Sequence, residues 1–223
     1  MRTLEGHIYL VDDDPAVLKS LSRLLRSAGY QPEIFLSARE FMKKYNPDVP
    51  GCLVLDLAMP EVNGLELQQW LKRSNSPLPV IFLTGHGSVP ASVQAMKEGA
   101  FDFLMKPVMG ASFVKAIEQA LLKDSEVRRA QAETTAVLAR LAALTPRERE
   151  VLERVVSGKL NKEIAAELGN AEKTIKIHRA RIMEKMGVDS LAELARVAER
   201  IGIGIGGAVL PATLPGPNRI SPS

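Results

Sequence analysis

The sequence predicts an α/β fold: a (βα)5 doubly wound parallel-sheet domain followed by a small all-α module. Three observations carry this expectation. Short apolar runs alternate with amphipathic helical patterns from residue 7 to about 122. The runs are almost uninterrupted by polar residues, and from Leu144 to about Ile201 the pattern becomes wholly helical. Alternating strand and helix patterns favour a parallel sheet, whose inner strands are apolar on both faces because helices cover both.

The first run, His7-Ile8-Tyr9-Leu10-Val11, stops at Asp12-Asp13-Asp14, and Cys52-Leu53-Val54-Leu55 stops at Asp56. Val80-Ile81-Phe82-Leu83 stops at Thr84, and Phe101-Asp102-Phe103-Leu104-Met105 stops at Lys106-Pro107. Helical segments are expected near 15–28, 37–45, 64–73, 88–98 and 110–123, with turn residues such as Gly29, Pro47, Pro50-Gly51, Pro60, Pro77, Pro79 and Gly99 between elements. Across 124–143 Gly and Pro disappear, and Val127, Ala130, Thr134, Val137, Leu138 and Leu141 recur at steps of three and four. That segment is an amphipathic helix, either a connector packed on its own domains or a dimerising coil.

Thr145, Pro146 and Glu148 form a strong helix start, with a capping residue, a proline at the first helical position and an acid at the third. Asn161 to Gly169 reads as a second short helix, and a third begins near Ala171. After Gly202 the chain is rich in Gly and Pro without periodicity. The expected organisation is a first domain over 1–123, a helical linker over 124–143, a helical module over 144–205 and a flexible tail over 206–223.

The composition is that of a soluble globular protein: 46% hydrophobic residues, 25% charged residues and a mean hydropathy of 0.00. No apolar run approaches the roughly 20 residues that span a bilayer. The opening Met1-Arg2-Thr3-Leu4-Glu5-Gly6 has no signal-peptide core, so a cytoplasmic protein with no membrane partner is expected. The single Cys52 lies inside a strand pattern and reads as a buried structural thiol. Charge is unevenly placed. Residues 1–124 carry 13 Lys and Arg against 14 Asp and Glu, leaving 16 basic and 12 acidic residues for the remainder. A polyanionic partner would therefore meet the C-terminal half.

In a parallel sheet the strand ends of one polarity share an edge, so Asp12, Asp13, Asp56, Thr84 and Lys106 converge although they are far apart in sequence. Clustered carboxylates suit a hard divalent cation such as Mg²⁺, which takes oxygen ligands and keeps several waters. With the cation offsetting repulsion between two anions, Asp56 could attack a phosphoryl group. Thr84 could donate to one phosphoryl oxygen and Lys106 could neutralise another. Taken singly these residues mean little. An acidic run after a strand is ordinarily a solvated loop, a threonine ordinarily a cap, and a lysine before proline ordinarily a surface residue.

The joint arrangement resembles the receiver domain of bacterial two-component response regulators over residues 7 to about 122. The resemblance rests on Val11-Asp12-Asp13-Asp14, Leu53 to Pro60, Leu83-Thr84-Gly85-His86-Gly87 and Lys106-Pro107. It implies that Asp56 is the phosphoacceptor of a sensor histidine kinase. Asp12, Asp13, Asp56 and the backbone carbonyl of Ala58 would hold Mg²⁺ or Mn²⁺, with Asp14 as a further acid of the run. It also implies that Thr84 and Phe103 form a switch. Thr84 moves toward the phosphoryl group, Phe103 turns inward, and the face made by the helix near 88–98, the last strand and the helix after it becomes a dimer interface. An ordinary core position is the other reading of Phe103.

Projected at about 100° per residue, the third helix of the C-terminal module places Ile175, Ile182 and Met186 on one face. Lys173, Lys176, Ile177, Ala180 and Arg181 fall on the opposite face. A basic stripe alone is commonly just solvated. This one surrounds an apolar and a small residue, which suits a major groove, where Lys or Arg reaches guanine and an apolar side chain meets a thymine methyl.

Residues 144–198 resemble the LuxR-type helix-turn-helix domain, most recognisably at Thr174-Ile175-Lys176-Ile177-His178-Arg179. The whole chain is similar to response regulators of the NarL/FixJ family. Lys176, Ile177 and Ala180 would then face bases of promoter DNA. Lys173 lies on the same face, and Asn161, Lys162, Thr174, His178, Arg179 and Arg181 would meet phosphates. The turn Gly169-Asn170-Ala171 departs from the family pattern of an apolar residue followed by a Ser or Thr cap, and Asn170 could cap instead. A homodimer forming on phosphorylation and an RNA polymerase contact are further implied partners. Catalytic turnover is not expected.

Two other readings compete. Asp12-Asp13-Asp14 also satisfies the Asp-any-Asp pattern of an Mg²⁺-dependent phosphatase of the haloacid dehalogenase kind, although no late acidic metal pair follows Lys106 and Asp56 is left unexplained. A phosphorylation-independent DNA-binding regulator keeps the fold but has no use for the complete acid, threonine and lysine set.

Overall fold

The protein is described by a computed structural model over residues 4–85 and 95–203. It divides into two compact units, Met1–Ala130 and Gln131–Ser223. The expected tail at 206–223 and most of the expected helix near 88–98 lie outside the described residues. The described end of that helix, 95–97, is helical.

In the first unit five strands form one parallel sheet: β1 (His7–Val11), β2 (Pro32–Phe35), β3 (Gly51–Asp56), β4 (Val80–Thr84) and β5 (Asp102–Met105), in the order β2-β1-β3-β4-β5. The order reverses between β1 and β3, which is where doubly wound sheets bind ligands. Side chains alternate across each strand. Ile8, Leu10, Cys52, Val54, Ile81 and Leu83 face one buried cluster with α1 (Pro15–Ser27), while Tyr9, Val11, Leu53, Leu55 and Phe82 face another with α2 (Ala38–Lys44) and α3 (Gly64–Arg73). Cys52 is wholly buried, as the strand pattern predicts.

The boundary expected at residue 123 is not a break in the helix. One helix, α4, runs unbroken from Gly110 to Ala142 over 33 residues. Between its first residue and Leu144 there is no Gly or Pro to end it, and its Ala-, Glu- and Arg-rich run favours continuation. Its early turns bury Phe113, Ala116, Ile117, Ala120 and Leu121 in the first cluster. Further on, Asp124 is almost fully buried and accepts from Gly51 N at 3.0 Å and Arg128 Nε at 2.8 Å. Arg128 also donates to Pro47 O at 2.8 Å and Val49 O at 3.0 Å. The helix is thus fastened to the start of the strand that ends at Asp56.

The second unit contains the end of α4 with α5 (Pro146–Val156), α6 (Asn161–Leu168), α7 (Glu172–Met186) and α8 (Leu191–Arg200). Thr145 and Glu148 make the expected capping box. Val137 and Leu141 of α4 pack into a core with Val151, Leu152, Ile164, Ile175, Ile182, Met186 and Leu194. Arg140 Nη1 donates to Met186 O at 3.0 Å, satisfying a carbonyl at the end of α7.

Candidate functional site

At the C-terminal edge of the sheet, Lys106 Nζ donates to Asp12 Oδ2 at 2.5 Å and to Asp56 Oδ1 at 2.6 Å. The strands explain this meeting. Asp12 follows β1, Asp56 ends β3, and the two strands pair in parallel with Val11 opposite Leu55. Lys106 follows β5, where Thr84 lies opposite Met105 and Lys106 N donates to Thr84 O at 2.7 Å. The Lys106–Pro107 peptide is cis.

The other oxygen of each acid is held by the backbone. Asp14 N donates to Asp12 Oδ1 at 2.9 Å, and Ala58 N donates to Asp56 Oδ2 at 2.8 Å. The turn carrying Ala58 is closed by Gly64 N bonding Leu57 O at 3.1 Å. A side chain at Gly64 would have no room, because a Cβ there would lie 2.5 Å from Asp56 O and 2.9 Å from Phe82 Cε1.

Asp12, Asp56 and Thr84 are buried, while Asp13, Asp14 and Ala58 are exposed. Burial pushes the Asp12 carboxyl up from its ordinary value, against the opposing pull of Lys106 and the Asp14 amide. Burial lowers Lys106, but its bonds to Asp12 and Asp56 outweigh this and leave its ammonium above the ordinary lysine range.

Asp14 serves a different purpose from its neighbour. Its side chain accepts from Ala16 N at 2.8 Å and caps α1, with Pro15 at the first helical position. Phe103 is half-buried, packs against the second cluster and pairs with Phe82 across the ladder. The donor set for a cation is all oxygen. Among the described residues no three His, Cys, Asp or Glu side chains group as a metal cage. The paired acids Asp12 and Asp56 each keep lone pairs free beyond the bonds they accept, and one or two carboxylates with water is how Mg²⁺ is commonly held. The residues present therefore fit such an ion.

In the second unit α7 presents the face expected of a recognition helix. Ile175, Ile182 and Met186 are buried, and Lys173, Lys176, Ala180 and Arg181 are exposed, as is Ile177 at 46%. Arg179 and Thr174 are half-buried, and Arg179 Nη1 donates to Asn161 Oδ1 at 2.6 Å, joining α7 to the first residue of α6. Lys162 is exposed beside it. His178 is half-buried, and its Nδ1 has no hydrogen-bond partner among the described residues. Asn170 does not cap the helix. Ala171 holds the cap position without a side-chain bond, and the Asn170 amide donates to Leu168 O at 3.3 Å. Gly169, in the left-handed region at φ 62°, ends α6, so the Asn170 side chain is spent on the preceding turn.

Two residue pairs were not singled out in the sequence. Asp124 with Arg128, and Glu172 with Lys176, both sit at i,i+4 spacing, which places them on one helix face.

Fold and sites together define a two-module regulator: an acid-lined α/β domain joined to a helix-turn-helix module. Comparisons with known proteins agree. The model of the response regulator receiver domain matches residues 8–118, and that of bacterial regulatory proteins of the luxR family matches 142–198. Nodulation protein W of Bradyrhizobium diazoefficiens is 43% identical over 88% of this chain and 86% of its own length. The transcriptional regulatory protein FixJ of the same organism is 42% identical over 90% of this chain and 98% of its own length. Among solved structures, the response regulator StyR matches with a TM-score of 0.79 at 43% identity, covering 87% of this chain and 98% of that one.

The chain belongs to the response regulators that join a receiver domain to a LuxR-type DNA-binding domain, and its function is phosphorylation-controlled regulation of transcription in a two-component system. The matched family models are a receiver domain and a luxR-type regulatory domain, and the FixJ relative is named a transcriptional regulatory protein, which favours a regulator over the haloacid dehalogenase reading. Receiver domains generally bind Mg²⁺ at the phosphorylation site. No helix among the described residues is long and apolar enough to cross a membrane.

Proposed function

We propose that Asp56 is the phosphoacceptor and that its modification raises the affinity of the C-terminal module for promoter DNA. The observation that carries this reading is the Lys106 ammonium bonded to both Asp12 and Asp56. The donor is a phosphohistidine of a sensor kinase. An Asp56 oxygen bonds to phosphorus as the P–N bond breaks, and the departing imidazole nitrogen takes up a proton.

Lys106 stays beside the phosphoryl oxygens and Thr84 donates a hydroxyl to one of them, which draws it from its resting place. Phe103 follows inward, and the reshaped face pairs two copies of the chain. Asp12, Asp13, Asp56 and the Ala58 carbonyl would hold Mg²⁺ or Mn²⁺, which supplies charge neutralisation between the acid and the incoming phosphoryl group. The protein is the acceptor in this transfer and turns over no other substrate.

At the output end Lys176, Ile177 and Ala180 face bases, with Lys173 on the same face. Asn161, Lys162, Thr174, His178, Arg179 and Arg181 serve the phosphates. The receiver occupies 1–123, the helical linker 124–143, the DNA-binding module 144–205 and the tail 206–223. The protein works in the cytoplasm, where promoter-bound dimers can meet RNA polymerase.

The test is DNA binding with and without a small-molecule phosphoryl donor in Mg²⁺, on wild type and Asp56→Asn. Tighter binding by donor-treated wild type alone supports the reading. Equal binding by both proteins under both conditions returns it to a phosphorylation-independent regulator.

A further inference from the structure

The exposed side of α7 carries two carboxylates, Glu184 in its last turn and Glu172 in its first, where a DNA-binding surface has little use for an acid. Glu172 is the first residue of the helix, and its Oε1 lies 3.6 Å from Lys176 Nζ. Both side chains are open to solvent, at 51% for Glu172 and 65% for Lys176. At about 100° per residue Lys176 stands roughly 40° from Ala180 and Glu172 roughly 40° beyond Lys176, so the pair runs along one border of the face that holds Ile177 and Ala180.

Two forces act on this acid. The helix N-terminus favours a negative charge, and an acid four residues before a lysine is the favourable order for an ion pair. Duplex DNA opposes it, with one negative charge per roughly 1.7 Å of axis. A carboxylate brought to a groove loses water and gains repulsion unless a donor meets it. The major groove offers one such donor, the N4 amino group of cytosine. The first turn of a recognition helix is the part that contacts base edges. Further along, Ala180 has no long side chain with which to read a base, so the reading surface is concentrated in the first two turns.

We infer that Glu172 is a specificity-determining residue that accepts from a cytosine amino group and, in doing so, releases Lys176 to the guanine of a neighbouring base pair. In the free protein the two charges satisfy each other. On the correct site each exchanges its partner for a base edge. On an incorrect site the carboxylate keeps Lys176 to itself or meets acceptors, and binding weakens. Glu172 thereby works as much by rejecting wrong sequences as by holding the right one.

This inference rests on the DNA-binding reading of the module. Its test is a selection from a random duplex library with the full-length, donor-treated protein, comparing wild type, Glu172→Ala and Glu172→Gln. Affinities for the selected site and for random duplex are then measured. Wild type is expected to require a cytosine beside the guanine lost in Lys176→Ala. Glu172→Ala should lose the cytosine preference alone, bind random duplex more tightly and reduce discrimination about tenfold, whereas Glu172→Gln, whose amide oxygen still accepts, should bind random duplex more tightly while keeping part of the cytosine preference. A carboxylate that only stabilises the helix start would change both affinities by one factor and leave the selected sequence intact, which overturns the assignment. If wild type enriches no sequence at all, the DNA-binding reading falls with it.

Discussion

The Lys106 ammonium lies 2.6 Å from Asp56 Oδ1, across a gap of fifty residues in sequence, because β3, β4 and β5 run side by side and end at one edge. With Asp12 on its other side, the same ammonium keeps two buried carboxylates compatible.

Removing that cation should leave the acids opposed. Lys106→Met is expected to destabilise the receiver by about 1–3 kcal/mol in urea unfolding without divalent ions. Millimolar Mg²⁺ should recover part of the loss, because it supplies the missing positive charge. Lys106→Met with unchanged stability in both conditions would mean that the bridge carries no energy.

Arg128 should matter more than a surface arginine. Asp124 is 1% exposed, and without Arg128 Gly51 N is the one donor left to it among the described residues. Arg128→Ala is expected to cost about 2–4 kcal/mol, and Asp124→Asn in the same chain should restore much of it by removing the stranded charge. A thermal or urea double-mutant cycle reads this directly.

The C-terminal module should have its own acid limit. Glu148 accepts from Lys185 Nζ at 2.7 Å and from the Thr145 amide at 2.8 Å, and these bonds hold its carboxyl at about 2 instead of its ordinary 4.5. A carboxyl depressed on folding stabilises the native state above its unfolded value and loses that contribution as pH falls through its folded value. Stability of the module should therefore decline as pH drops from about 4.5 toward 2, and Glu148→Gln should flatten this part of the profile. Circular dichroism of both proteins across that window measures the difference.

Lys176 and Arg179 should fail in different ways. Lys176 is exposed on the reading face, so Lys176→Ala should relax sequence preference with a cost of about 1–3 kcal/mol on the specific site. Arg179 is held by Asn161 at 2.6 Å, away from the middle of that face. Arg179→Ala should weaken specific and random DNA alike and reduce the salt slope by about one. Anisotropy titrations at several salt concentrations separate the two.

What the sequence made legible follows from where its signals are local. Strand ends were visible because apolar runs stop abruptly at Asp12, Asp56, Thr84 and Lys106, and parallel pairing then places them together. The α5 start was visible because Thr145, Pro146 and Glu148 act on one another within four residues. The long helix was divided too early, since a change in composition at residue 124 resembles a boundary while nothing there breaks a helix.

The role of Asp124 was hidden for the opposite reason: its partners Pro47, Val49 and Gly51 reach it through Arg128 or directly only after the sheet forms. Only its i,i+4 spacing to Arg128 was available beforehand. Residue type makes Asn170 a possible cap, but Gly169 ends α6 in the left-handed region, the Asn170 amide turns back to Leu168 O, and Ala171 holds the cap position.

The central claim, that Asp56 receives the phosphoryl group, is tested most directly by intact-mass measurement after incubation with acetyl phosphate and Mg²⁺. Wild type should gain one phosphoryl group, located by borohydride trapping on the peptide containing Asp56, and should lose the gain when Mg²⁺ is chelated beforehand. Asp56→Asn should gain none. An Asp56→Asn protein that acquires the same mass as wild type would contradict the account.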